Sequence, residues 1–137
     1  MNFTQWRMRH QEFVTVGNPD AGPDARADVI QYLGGNPARS FECYQNSQRL
    51  CASLPHINYV LGRVTIPVHG TIDHAWNSDE HGHFDITLSN RADFDKCVYQ
   101  ALVTISAEQV NAMTWMGMPP TIYEVFMAWQ SGQLEAA

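Results

Sequence analysis

The chain has 137 residues, a formal net charge of -6, 45% apolar residues and 16% charged ones. That length suits one domain, residues 1–137, with its own hydrophobic core, and the composition excludes a disordered chain. Only eight Lys and Arg are present and none form a run, which argues against nucleic acid or an anionic membrane as partner.

No apolar stretch approaches the roughly 20 residues needed to span a bilayer, and residues 1–13 lack the apolar core of a signal peptide. A soluble, cytoplasmic protein is expected. Its three cysteines, Cys43, Cys51 and Cys97, are odd in number and widely spaced, a poor disulfide framework. Cys43 and Cys51 lie about two helical turns apart, roughly 12 Å, beyond disulfide reach. There is no C-x-x-C spacing for a thiolate zinc site, and no cofactor is expected.

Residues 1–16 mix aromatic and polar side chains without a period and give no assignment. Residues 17–23 are dense in turn formers and read as a loop. A short helix is expected over 24–33, stopped by Gly34-Gly35. Ser40 is the expected N-cap of a helix running to about Leu54, before Pro55. Within it Cys43, Ser47, Leu50 and Leu54 share one face, so Cys43 turns towards the interior. Residues 57–66 read as a β-strand with a possible break at Gly62. Residues 70–77 and 82–88 then read as a hairpin joined by Ser78-Asp79-Glu80-His81. Pairing His74 with Asp85, Ala75 with Phe84 and Trp76 with His83 puts His74 and Asp85 on one face.

A further strand is expected over 97–105. Ser106 to Gln109 forms a capping box opening a helix to about Met116, which Gly117 and Pro119-Pro120 end. Thr121 to Glu124 is a second capping box, followed by Ile122, Val125, Phe126 and Trp129 on one stripe. Helices, then strands, then helices describe an α+β domain with an antiparallel sheet of about three to five strands.

Three side chains in this framework carry a chemistry. Cys43 stands in the first turn of a helix, where unpaired N–H groups and the helix dipole favour negative charge. His74 stands on one strand and Asp85 on the next. A thiol, an imidazole to take its proton and a carboxylate to orient the imidazole make an activated nucleophile.

The segment His74-Ala75-Trp76-Asn77 followed by Phe84-Asp85-Ile86-Thr87 is similar to the H-x-W-N…D-x-T segment of papain-like cysteine enzymes, in their transglutaminase-like branch. The resemblance covers residues 40–88. It implies a papain/transglutaminase-like fold, in which a cysteine opens a helix packed on an antiparallel sheet and His and Asp follow on successive strands. It implies cysteine-dependent hydrolysis or acyl transfer on an amide, ester or thioester, with Cys43, His74 and Asp85 as catalytic triad. The partner would be a protein, peptide or small amide or ester substrate. Glu42 and Tyr44 flank Cys43, where the family has a tryptophan beside its cysteine. The backbone N–H of Cys43 is the generic oxyanion donor.

Two other readings compete. His81, Gly82, His83, Phe84 and Asp85 have H-x-H-x-D alternation, and residues i, i+2 and i+4 of a strand share a face that could close on a divalent metal ion. Alternatively, the same fold could be a binding module without catalysis.

Overall fold

The computed structural model describes residues 1–20 and 26–134, and its elements form one α+β arrangement. In chain order they are α1 (Phe3–His10), β1 (Glu12–Val14), β2 (Val16–Gly17), α2 (Ala27–Gly35), α3 (Cys43–Ser53), β3 (Asn58–Ile66), β4 (Gly70–Asp79), β5 (Gly82–Phe84), β6 (Val98–Ile105), α4 (Ala107–Met113) and α5 (Ile122–Gln130). The expected loop over 17–23 is described only as far as Asp20. Its remainder, and the expected helix start at Asp24, lie outside the described residues.

The six strands form one sheet in the order β1-β6-β3-β4-β5-β2. Thr15 alone separates β1 from β2, yet these strands lie at opposite edges. One extended stretch thus pairs with both sides, antiparallel to β6 and parallel to β5, and the sheet must curl to allow it. Sequence reading anticipates fewer strands and a purely antiparallel sheet. Two pieces of three and two residues carry too little pattern to be seen, and their pairing is set by tertiary contact.

Alternation along the strands divides the core in two. Val60, Val64, Ile66, Trp76, Tyr99 and Ala101 pack inside the curl, with Val14 and Val16 against them. Tyr59, Leu61, Ala75, Val103 and Ile105 face outward under the helices, where Leu50, Val110, Val125 and Phe126 meet them. Gly62 does not break β3. A Cβ there would sit 2.1 Å from the Gln100 carbonyl oxygen and 2.7 Å from the Trp76 ring, so glycine is what admits that ring. The irregularity falls on the neighbouring strand: Leu61 pairs with Val103 and Gly62 with Ala101, which leaves Leu102 as a bulge.

Other boundaries move for local reasons. Helix α3 begins at Cys43 with Glu42 at the N-cap, not Ser40. Phe41 intervenes at φ 65°, a left-handed conformation that ends any continuation towards Ser40. Helix α4 stops at Met113, because Trp115 and Met118 pair backbone to backbone across a tight turn. Helix α2 starts at Ala27 and extends through Gly35.

The β4–β5 hairpin is tighter than expected and shifted by two residues: Asn77 pairs with Phe84, Ser78 with His83 and Asp79 with Gly82. Asp79 belongs to the strand because Arg26 grips both its carboxylate oxygens, at 2.5 and 2.9 Å. The Asp79 carboxylate in turn accepts the His81 N–H. A shift of two residues preserves facing, so His74 keeps its expected side.

The unassigned N-terminus is α1, closed by a capping box between Asn2 and Gln5. It buries Trp6 among Phe3, Phe126 and Trp129, and Arg7 forms an ion pair with Asp73, the residue before His74. Among the described residues no helix is long and apolar enough to cross a membrane.

Candidate active site

His74 lies on β4 with its side chain inside the curl and only 2% of its surface exposed. Its ring stacks on Trp76, with centroids 6.0 Å apart. Its Nε2 is 2.7 Å from Oδ2 of Asp85, itself fully buried. Asp85 lies just past the end of β5 rather than on a longer strand. There its Oδ1 accepts the backbone N–H groups of Thr87 and Leu88, at 2.8 and 3.1 Å. This is an Asx-turn, a preference of Asp that the D-x-T pattern already contains. Its Oδ2 also accepts the Tyr99 hydroxyl at 2.5 Å. Four donors thus fix the carboxylate and with it the ring.

With Nε2 committed to Asp85, Nδ1 is the ring atom left for a second partner. Burial alone would push the His74 pKa down, but the hydrogen bond and charge of Asp85, with the neighbouring Cys43, outweigh it and hold the ring at about 9. The imidazolium is therefore favoured at neutral pH, with Asp85 as its hydrogen-bonded partner; the Cys43 thiol adds to the upward push, but among the described residues it makes no hydrogen bond to the ring. Cys43 is half-buried at the first position of α3. The Glu42 side chain does not cap this helix, so it does not occupy the backbone N–H groups of the first turn.

Two arrangements place Cys43. The buried Asn46, one turn along α3, exchanges hydrogen bonds with both backbone groups of Arg39, at 3.0 and 2.8 Å, and so pins the loop before the cysteine. It also donates to the Thr87 hydroxyl at 3.0 Å, tying the helix to the Asp85 turn. Deeper in the same helix, Asn77 of β4 donates to the Ser47 carbonyl and to Cys51 Sγ. Helix and strand are thus joined beside the site by polar contacts as well as by packing.

Sequence reasoning selects Cys43, His74 and Asp85, and misses Tyr99 and Asn46. Tyr99 gives no local signal, because its role depends on β6 reaching Asp85 across the curled sheet. Asn46 carries a weak one, as a polar residue three positions after Cys43 on a helix whose partner face is apolar.

The other two cysteines differ. Burial pushes the Cys51 thiol up to about 12, and burial also raises that of Cys97. The H-x-H-x-D residues do not converge. His81 is exposed on the hairpin turn, and His83 Nδ1 accepts the Trp76 indole N–H at 3.0 Å. Both Asp85 oxygens are occupied as described. Among the described residues no group of three His, Cys, Asp or Glu side chains could hold a metal ion.

No protein-family model matches the chain, and neither does any curated protein or solved structure.

Proposed function

We propose that this protein catalyses cysteine-dependent acyl chemistry, hydrolysis or acyl transfer, on an amide, ester or thioester. The observation that carries the reading is the buried His74 ring, bonded to Asp85 through Nε2 and raised by both Asp85 and Cys43. A structural histidine needs one satisfied partner. This one is held by a carboxylate and is also raised by the Cys43 thiol, which is the pairing a nucleophile, base and orienter require. A helix bearing the cysteine packed on a curled sheet bearing His74 also supports a papain/transglutaminase-like fold as the finer classification.

In the proposed reaction the Cys43 sulfur attacks the carbonyl carbon, and its proton resides on His74. The negative oxygen of the tetrahedral intermediate takes hydrogen bonds from the first-turn N–H groups of α3, that of Cys43 foremost. Collapse breaks the bond to the leaving group, which takes the proton from His74 and leaves a thioester on Cys43. Water or an amine then attacks that thioester, passes its proton to His74 and releases the acyl product. Asp85 keeps the imidazole in one tautomer and stabilises its cationic form throughout.

The test is iodoacetamide labelling of the folded protein with mass-spectrometric assignment, paired with p-nitrophenyl ester turnover. Cys43 is expected to label well ahead of Cys51 and Cys97, and Cys43→Ala to abolish turnover while leaving the fold intact. Equal labelling of the three thiols, or turnover that survives Cys43→Ala, would overturn the reading in favour of a non-catalytic binding module. A chelator is expected to have no effect.

A further inference from the structure

A cavity of about 330 Å³ opens on the other side of Asn46. Arg39 and Arg49 line it, with the side chains of Asn36 and Asn46 as polar groups and Ile86 as apolar wall. That volume falls at the lower end of small-ligand sites, enough for a few heavy atoms beyond a scissile bond.

Its position ties it to the chemistry. Ile86, on its wall, is the residue after Asp85. Asn46, also on its wall, is one turn along α3 from Cys43 and bonds the Thr87 hydroxyl. Arg49 is six residues along the helix from Cys43, about 9 Å at 1.5 Å per residue. The cavity therefore shares with the proposed site the helix that carries Cys43 and the turn that carries Asp85.

Its charge is exceptional for this molecule. The protein carries a net charge of -6, and most of its arginines sit against acids: Arg7 and Arg63 with Asp73, Arg26 with Asp79, Arg91 with Asp93. Among the described residues no carboxylate lines the cavity. Arg39 has only a loose pair with Glu42 at 3.9 Å, and Arg49 has no ion-pair partner among the described residues. Two arginines on one hollow, with no carboxylate among its described lining residues, offer an oxyanion acceptor; the Asn46 amide, committed to Arg39 and Thr87, shapes the wall without binding.

We infer that this cavity is a substrate subsite that receives a carboxylate or phosphate group, so that the preferred acyl substrate carries an anionic group beyond its reacting carbonyl. The inference rests on the acyl-chemistry reading of Cys43, and its test is built to fail separately. N-iodoacetyl derivatives of glycine, 4-aminobutyrate and 6-aminohexanoate alkylate a thiol by displacing iodide, and each has a neutral amide counterpart of the same length. Whether or not Cys43 is activated, the ratio of acid to amide rates at Cys43 reports the subsite alone.

The expected result is a ratio that rises with length to about tenfold, falls at high salt, and returns to one in Arg49→Gln and Arg39→Gln. The Arg39 substitution spares the fold, because only the Arg39 backbone holds Asn46. Titration with glutarate or inorganic phosphate, followed through the arginine Nε–H resonances, decides which anion is preferred. Saturable shifts of both arginines are expected with one of them. A ratio near one at every length, or no saturable shift with either anion, overturns the subsite and leaves the acyl-chemistry proposal standing. Slow alkylation with a length-dependent ratio overturns the nucleophile and leaves the subsite.

Discussion

Two carboxylates stand at the two ends of the β4–β5 turn region, six residues apart, Asp85 buried and Asp79 half-buried with its side chain largely covered, and their partners differ in kind. Asp79 is held by the Arg26 guanidinium through two oxygens, while Arg26 lies 4.3 Å from the centroid of the Phe84 ring. Asp85 is held by an imidazole, a phenol and two backbone N–H groups. Guanidinium keeps its proton at any accessible pH, so the Asp79 pair is a fixed charge clamp that sets where the hairpin turns. Imidazole, even raised to about 9 as His74 is, exchanges its proton within the working pH range, so the Asp85 pair can serve proton transfer. Burial of an acid marks importance; the titratability of its partner separates staple from site.

The largest effect expected from breaking this contrast is on turnover. Asp85→Asn keeps the shape and most hydrogen bonds but removes the charge that stabilises the imidazolium, so ester turnover should fall by about 10³–10⁴, as for orienting carboxylates in other triads. The protein should still fold. Arg26→Met should act the other way, costing about 1–3 kcal/mol of stability by leaving the half-buried Asp79 carboxylate without its main partner. Turnover per folded molecule should hardly change. Adding Asp79→Leu to Arg26→Met should recover much of that loss, since no half-buried charge is then left alone. Urea titration together with ester kinetics on the four proteins tests the set. If Arg26→Met silences turnover in the folded protein, or Asp85→Asn leaves turnover intact, the two carboxylates do not divide the labour as argued.

The same contrast explains what the sequence disclosed. Cys43 at a helix start, His74 on a strand and Asp85 in a D-x-T turn are local facts, and short-range geometry brings His74 to Asp85 even with the hairpin register displaced by two residues. The last two helices were readable from their capping boxes, and α5 also from its apolar stripe, because those signals are local too. The Arg26–Asp79 clamp was not readable, since it joins residues 53 apart with no shared pattern. Tyr99 was hidden for the same reason. The N-terminal 16 residues were illegible, and Gly17 was read as loop, because α1 buries one side chain, Trp6, and β1 and β2 together have five residues. Their structure is imposed by the sheet edges they close.

Stability against pH should distinguish the two carboxylates without any assay. Burial pushes Asp79 up, but Arg26 outweighs it and the net pKa is lowered. Its contribution is therefore present above the ordinary carboxylate value of 3.8 and lost as pH falls through the lower folded value. His74 is raised from 6.5 to about 9, so its contribution is complete below 6.5 and lost as pH rises through 9. Urea midpoints should form a plateau between about pH 4 and 6.5 and decline on both sides. His74→Gln should flatten the alkaline decline alone, and Arg26→Met should lessen the acid one. An alkaline decline that persists in His74→Gln would show that His74 is not the group responsible.

The smallest expected effect belongs to Tyr99. Burial and the adjacent carboxylate push its phenol well above the ordinary value of 10, so at any working pH it is a donor to Asp85. Tyr99→Phe removes that donor while keeping the edge-on contact with Trp76, whose ring centroid is 5.0 Å away. A hydrogen bond to a charged acceptor is worth about 1.5–3 kcal/mol, and three other donors remain on Asp85, so the lower figure is expected. The more telling change is in the imidazole. Tyr99 draws negative charge on Oδ2 towards itself, in competition with His74. Without it the carboxylate should hold the imidazolium more strongly, and the His74 titration, followed by NMR of the ring, should move to higher pH. A midpoint that stays in place while stability falls would mean that Tyr99 packs against Asp85 without tuning it. A midpoint that rises, with turnover changed only a few-fold, would make Tyr99 a positioning residue that limits how tightly Asp85 grips the base.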